Sequence, residues 1–206
     1  MNVRVLKRFV VYMAILTFVM FTVWALIRSF MNRPPGDYET EVCDIRLKDK
    51  KYEQALEAAN NALSKSPNHR GAAMCKALVF ISEKKYVEAD KELSNLINFL
   101  EKNLENDDKT GIGTLAAAYA NRGIVKDRNK NYEKALKDYV KALGIDYEAV
   151  AGPGLGTIIL NYKFKSSSVR ERALYLNEQL QLPEDERVLS IEELDEGQVM
   201  HKPGKL

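Results

Sequence analysis

Cysteine and histidine are almost missing from this 206-residue chain, with two of each, and neither cysteine stands in a C-x-x-C pair with the other. That excludes the ligand clusters from which structural or catalytic metal sites are built, and the sequence implies no cofactor. Excess charge of one sign is absent as well. Thirty-one basic and 29 acidic residues leave a formal net charge of +2, so no broad field attracts nucleic acid. Six prolines and eleven glycines punctuate little, while Ala, Leu, Glu and Lys abound, a composition that favours helix over sheet. No nucleophile, base or phosphate-loop motif with a mechanism occurs, which argues against an enzyme. Gly152, Pro153, Gly154, Leu155 and Gly156 lack the preceding strand and following Gly-Lys-Ser/Thr of a phosphate loop, and read as a helix-to-helix linker.

One long apolar run is present. Phe9 to Ile27 is nineteen residues without a charge. As a helix rising about 1.5 Å per residue it roughly matches a 30 Å hydrocarbon core. It is apolar around its circumference, and Arg28, Ser29, Phe30, Met31, Asn32 and Arg33 follow it in place of a small-x-small cleavage site. Arg4, Lys7, Arg8 and the terminal amine precede it. The positive-inside rule therefore predicts a single-pass protein with its N-terminus (1–8) in the cytoplasm, and the remainder in the periplasm if the source is bacterial. A linker at 28–36, stiffened by Pro34 and Pro35, leads to a domain expected over 37–182.

Within that domain the sequence repeats. Lys50–Leu63, Lys84–Ile97 and Lys130–Leu143 align on Tyr52, Tyr86 and Tyr132; the first two tyrosines are 34 apart and the next two 46, which is 34 plus 12. Alanines follow at Ala55, Ala89 and Ala135. Small residues stand nine positions before each tyrosine, at Cys43, Ala77 and Gly123, and Ala62, Leu96 and Ala142 stand seven after each alanine. Backbones approach closely only where side chains are small, and each tyrosine is placed to pack over a turn.

This series resembles the tetratricopeptide repeat. The resemblance covers about Gly36 to Val150, with repeats near 36–69, 70–105 and 113–149. It implies an all-α solenoid of antiparallel helix hairpins, packed through Cys43, Tyr52, Ala55, Ala77, Tyr86, Ala89, Gly123, Tyr132 and Ala135. Pro67 stands where the family ends its second helix; the third unit has Asp146 and Tyr147 there. In the second unit Leu93, Leu96, Ile97, Leu100 and Leu104 carry the apolar stripe further, so the twelve extra residues are expected to lengthen that helix and its loop. Pro153–Phe164 and Val169–Leu180 are expected as a degenerate capping pair (153–182), followed by an acidic tail (183–206) that frays, with Val188, Leu189, Ile191 and Leu194 as the residues by which a short helix would dock instead.

First helices of such repeats line a concave face, so the resemblance points to Thr40, Asp44, Leu47, Met74, Leu78, Ile81, Asn121, Ile124 and Arg128 as groove positions. Met74, Leu78, Ile81, Asn121, Ile124 and Arg128 form the expected partner-binding set, suited to an amphipathic helix or an extended apolar peptide, with Met74, Leu78 and Ile81 equally readable as core between adjacent first helices. A carboxylate clamp found in some relatives needs Lys, Asn, Asn and Lys where this chain has Thr40, Asp44, Cys75 and Ala117; only Asn121 fits, and the clamp is rejected. Helix axes of neighbouring repeats lie roughly 8 to 10 Å apart, against about 7 Å between Cα atoms for a disulfide, so Cys43 is expected as a buried small hydrophobe unpaired with Cys75. Lys163, Lys165, Arg170 and Arg172 read as a solvated basic cluster, with the acidic tail of the same or another chain as its alternative partner. Proteins or peptides, the membrane through 9–27, and no nucleic acid are the expected partners. The expected function is a membrane-tethered adaptor, the alternative a subunit of a larger membrane complex.

Overall fold

The repeat period becomes a stack of helix pairs. The computed structural model describes residues 3–31, 33–150, 168–191, 195, 198, 200 and 201. Helix α1 (Val3–Met31) is followed by three hairpins, α2 (Asp37–Lys48) with α3 (Tyr52–Lys65), α4 (Arg70–Ser82) with α5 (Tyr86–Asn103), and α6 (Lys109–Arg128) with α7 (Tyr132–Ile145). A short α8 (Tyr147–Val150) and then α9 (Val169–Leu180) follow. Among the described residues no strand forms. Pro153–Phe164, read as the first capping helix, lies outside the described residues, as do Lys163 and Lys165 of the basic cluster.

Each hairpin turn is built the same way. Lys50, Lys84 and Lys130 adopt left-handed backbone with φ of 59°, 60° and 61°. In the first turn the Lys50 N–H donates to the Leu47 carbonyl at 3.0 Å and the Lys51 N–H to the Arg46 carbonyl at 2.9 Å; Lys84 and Lys85, then Lys130 and Asn131, repeat the pattern. This is the Schellman closure, which satisfies carbonyls orphaned at a helix end and reverses the chain within three residues. The tyrosine that opens each second helix therefore sits at a fixed distance from the turn. Tyr52, Tyr86 and Tyr132 are half-buried, and Ala55, Ala89 and Ala135, three residues on, are fully buried.

Side-chain volumes are matched across each pair. At the small position stand Cys43, Ala77 and Gly123, all buried; seven residues after the tyrosines stand Ala59, Leu93 and Tyr139, also fully buried. The largest residue faces the smallest. A Cβ on Gly123 would lie 2.5 Å from the Tyr139 ring. Gly36 is required for two reasons, since its φ is 94° and a Cβ there would meet the Ala62 carbonyl oxygen at 3.1 Å.

The second unit accommodates its extra length as helix. Helix α5 has 18 residues against 14 in α3 and in α7, and α6 has 20 against 12 in α2. Leu93, Leu96, Ile97 and Leu100 are buried in the main core. Helix α6 packs on α4, α5, α7 and α8, so its small residues Ala116, Ala117, Ala118 and Ala120 are all buried. Helix α9 packs against α7 and starts from a capping box in which Ser168 and Glu171 exchange hydrogen bonds.

The cysteines overturn the expectation of an unpaired Cys43. Cys43 on α2 and Cys75 on α4 are joined as a disulfide, with Cα atoms 6.5 Å apart. Axis spacing was the wrong measure, because each Cα stands about 2.3 Å off its helix axis and facing Cα atoms are closer than the axes. Gly71 also lets α4 lie against Thr40 of α2, whose Cγ2 occupies space near a would-be Cβ at 3.1 Å.

Candidate interaction groove

The first helices α2, α4 and α6 stand side by side, and α2 touches α4 as α4 touches α6. On α6, Asn121, Ile124 and Asp127 recur every three residues and share one face. That face is covered. Met74, Leu78, Ile81, Asn121 and Ile124 are all buried and Arg128 is half-buried; Leu47 is half-buried beside them. Thr40 is buried and its hydroxyl donates to the Gly36 carbonyl at 2.8 Å. Asp44 is half-buried.

Part of the cover is the C-terminal segment, expected to fray. The Asn121 carboxamide donates to the His201 carbonyl at 2.7 Å and accepts from the His201 N–H at 2.8 Å, which satisfies both main-chain groups of one residue. Asn121 is fully buried, and its Nδ2 also lies 3.4 Å from the Met74 sulfur. Gln198 Nε2 donates to the Tyr139 hydroxyl at 3.0 Å and approaches Asp127 Oδ2 at 3.4 Å. Met200 and Leu189 pack against the main core. Gln198 thus meets α6 at Asp127 and His201 meets it at Asn121, levels about 9 Å apart along the helix.

A buried ion pair anchors its upstream end. Arg172 of α9, read from sequence as part of a solvated cluster, is 1% exposed and grips Asp127 through Nε at 2.7 Å and Nη2 at 2.8 Å. Arg170, two residues away, is exposed. Two cations on one helix divide because only Arg172 faces α6. Its Nη2 also donates to the Leu189 carbonyl at 2.9 Å and lies 3.0 Å from Asp195. The Tyr139 hydroxyl donates to Asp127 at 3.1 Å, and burial beside that carboxylate pushes its pKa well above the ordinary phenol value. Removal from water lowers the imidazole of His201 to about 4.

Nothing in the sequence singled out Asp127, Tyr139 or Gln198. Asp127 adjoins the groove position Arg128, but nothing local links it to partners 45 and 71 residues away. His69 caps α4 by accepting from the Ala72 N–H at 3.1 Å, and its other ring nitrogen reaches Asp37 at 2.8 Å. Among the described residues no cluster of three or more His, Cys, Asp or Glu is placed to hold a metal ion.

The stacked hairpins, their repeated turn and their small-residue contacts define a helical-repeat protein of tetratricopeptide-like build. No family model matches the chain, and no curated protein does. Among solved structures it is similar to the Arabidopsis OM64 TPR domain, with 17% identity and a TM-score of 0.46 over 55% of this chain and 84% of that one. It is also similar to the first TPR of Spaghetti (RPAP3) bound to the HSP90 peptide SRMEEVD, with 19% identity and a TM-score of 0.46 over 62% of this chain and 89% of that one. Neither likeness says what this chain binds.

Proposed function

We propose that this chain is a membrane-tethered interaction module whose first-helix face binds an extended segment of a partner polypeptide. The observation that carries this reading is the pairing of Asn121 with both main-chain groups of His201. A buried carboxamide spent on the backbone of a distant segment is how a peptide-binding groove holds a ligand. Tethering is supported by α1, whose Val3–Arg28 stretch contains an 18-residue window of mean hydropathy 2.4, none of it buried. Anchorage raises the local concentration of whatever the groove meets, so modest contacts suffice. The Cys43–Cys75 disulfide supports a domain on the oxidising side of that membrane.

The alternative is a permanent subunit of a larger membrane complex, held through the span and the long α5. Leu100 in the extra turn of α5, like Leu96 and Ile97 before it, is buried in the chain's own core, which leaves the span as that reading's support.

Asp substitutions at Leu78 or Ile124 would unfold so buried a site. The test instead puts a photo-cross-linking residue at half-buried Arg128, in the full chain in its native membrane with Gln198→Ala and Met200→Ala to loosen the tail. The expected result is an adduct with another polypeptide that a synthetic tail peptide suppresses. An adduct from the same group at exposed Val140, with none from position 128, would move the binding surface off the groove. Trapping free thiols in intact cells tests the compartment: both cysteines alkylated without reductant would defeat export.

A further inference from the structure

The segment on the first-helix face is held as ligands are held. Helices and hairpins satisfy their own main chain, and most buried backbone groups are paired that way. Here side chains of the repeat stack and α9 do it for another segment. The Tyr175 hydroxyl donates to the Val188 carbonyl at 2.6 Å, Gln179 Oε1 accepts from the Val188 N–H at 2.7 Å, Arg172 donates to the Leu189 carbonyl, and Asn121 takes both groups of His201. Contacts of this kind ignore side-chain identity. What reads identity is a short set: Asp195 beside Arg172, Gln198 against Tyr139 and Asp127, and Met200 in the core.

We infer that the described tail residues, 188–191 with Asp195, Gln198, Met200 and His201, act as an intramolecular ligand on a peptide site of α6 and α9, and that the external ligand is a peptide of the same chemistry, with one helical turn where the Asp195 N–H donates to the Ile191 carbonyl at 2.9 Å. That chemistry is an acidic residue, a carboxamide three positions later, and an unbranched apolar residue two positions beyond. The inference rests on the groove being the binding surface and adds its regulation and its ligand class. Because the tail is attached close to its site, its effective concentration is of millimolar order, and a competing peptide sees its affinity reduced by the open fraction. Weak encounters are rejected. A partner that matches the pattern opens the site.

The test uses the full chain in detergent micelles and a fluorescein-labelled synthetic peptide of residues 188–201, followed by polarisation. Wild type is expected to bind it at least about tenfold more weakly than a chain carrying Gln198→Ala and Met200→Ala, and adding Asn121→Ala is expected to abolish binding to the opened chain. A second variant, with a protease site inserted after Arg187 and cut after folding, opens the site without altering the tail. A peptide N-methylated at the His201 nitrogen loses the N–H that Asn121 accepts and is expected to bind at least about tenfold more weakly. Equal binding by closed and opened chains of unchanged helicity overturns the inference, as does equal binding of the methylated peptide. Closure that disappears on dilution overturns it too, since the occupant is then the tail of a second copy. Peptide binding without any cross-link from position 128 would leave this inference standing and remove the proposed function; the reverse result would do the opposite.

Discussion

At the scale of single residues the stack depends on the match of small against large. Gly123 meets the face of Tyr139, whose own hydroxyl is tied to Asp127 and Gln198 and so cannot retreat freely. Gly123→Ala is expected to destabilise the protein by about 1 to 3 kcal/mol, the range for overpacking, despite the better helix propensity of alanine. Denaturant unfolding of the full chain in micelles, followed by circular dichroism, measures it; no change in midpoint would show that α6 and α7 have slack. Ala77→Gly is expected to cost less, because Leu93 needs no such clearance.

At the scale of elements the hairpins were legible from sequence and the tail only in part, since Leu189 stood among its candidate docking residues but its partners on α6 did not. Tyr52, Tyr86 and Tyr132 recur because every turn presents the same surroundings, and a repeated environment selects a repeated residue at fixed spacing. Asn121 and His201 are 80 residues apart and meet once, so no period records them. The apolar stripe of α4 and α6, with Met74, Leu78 and Ile124, was visible as one face, whereas its cover was written in a segment whose acidic residues suggest solvent. Arg172 was legible in part: the acidic tail stood as its alternative partner and Asp195 lies 3.0 Å from it, whereas nothing near it in sequence points to Asp127. The disulfide is an element-scale feature, joining first helices of adjacent hairpins across 32 residues. Replacing both cysteines by alanine is expected to cost about 2 to 4 kcal/mol, and reductant is expected to lower the unfolding midpoint of wild type but not of the double variant.

For the molecule as a whole, the position of the tail is expected to follow pH. His201 is half-buried with its pKa lowered to about 4 by burial. A histidine whose docked value is depressed favours docking fully above its free value near 6.5, and that contribution is lost as pH falls from about 6.5 toward 4. Affinity of the opened chain for the tail peptide is expected to fall by at most roughly tenfold per pH unit across that window. Proton NMR of the two imidazoles checks it directly: a His201 resonance titrating near 6.5 in the intact chain would mean that the ring stays in water. His201→Leu is expected to flatten the pH profile while the Asn121 pairing persists.

The Cys43–Cys75 bond locks the first two hairpins into one rigid block. Superhelical stacks yield by sliding or splaying between neighbouring repeats, and here one of the two boundaries is welded shut. Any breathing of the coil is then concentrated at the seam between α4 and α6, where Asn121 reaches across to Met74 and His201 rests like a bolt.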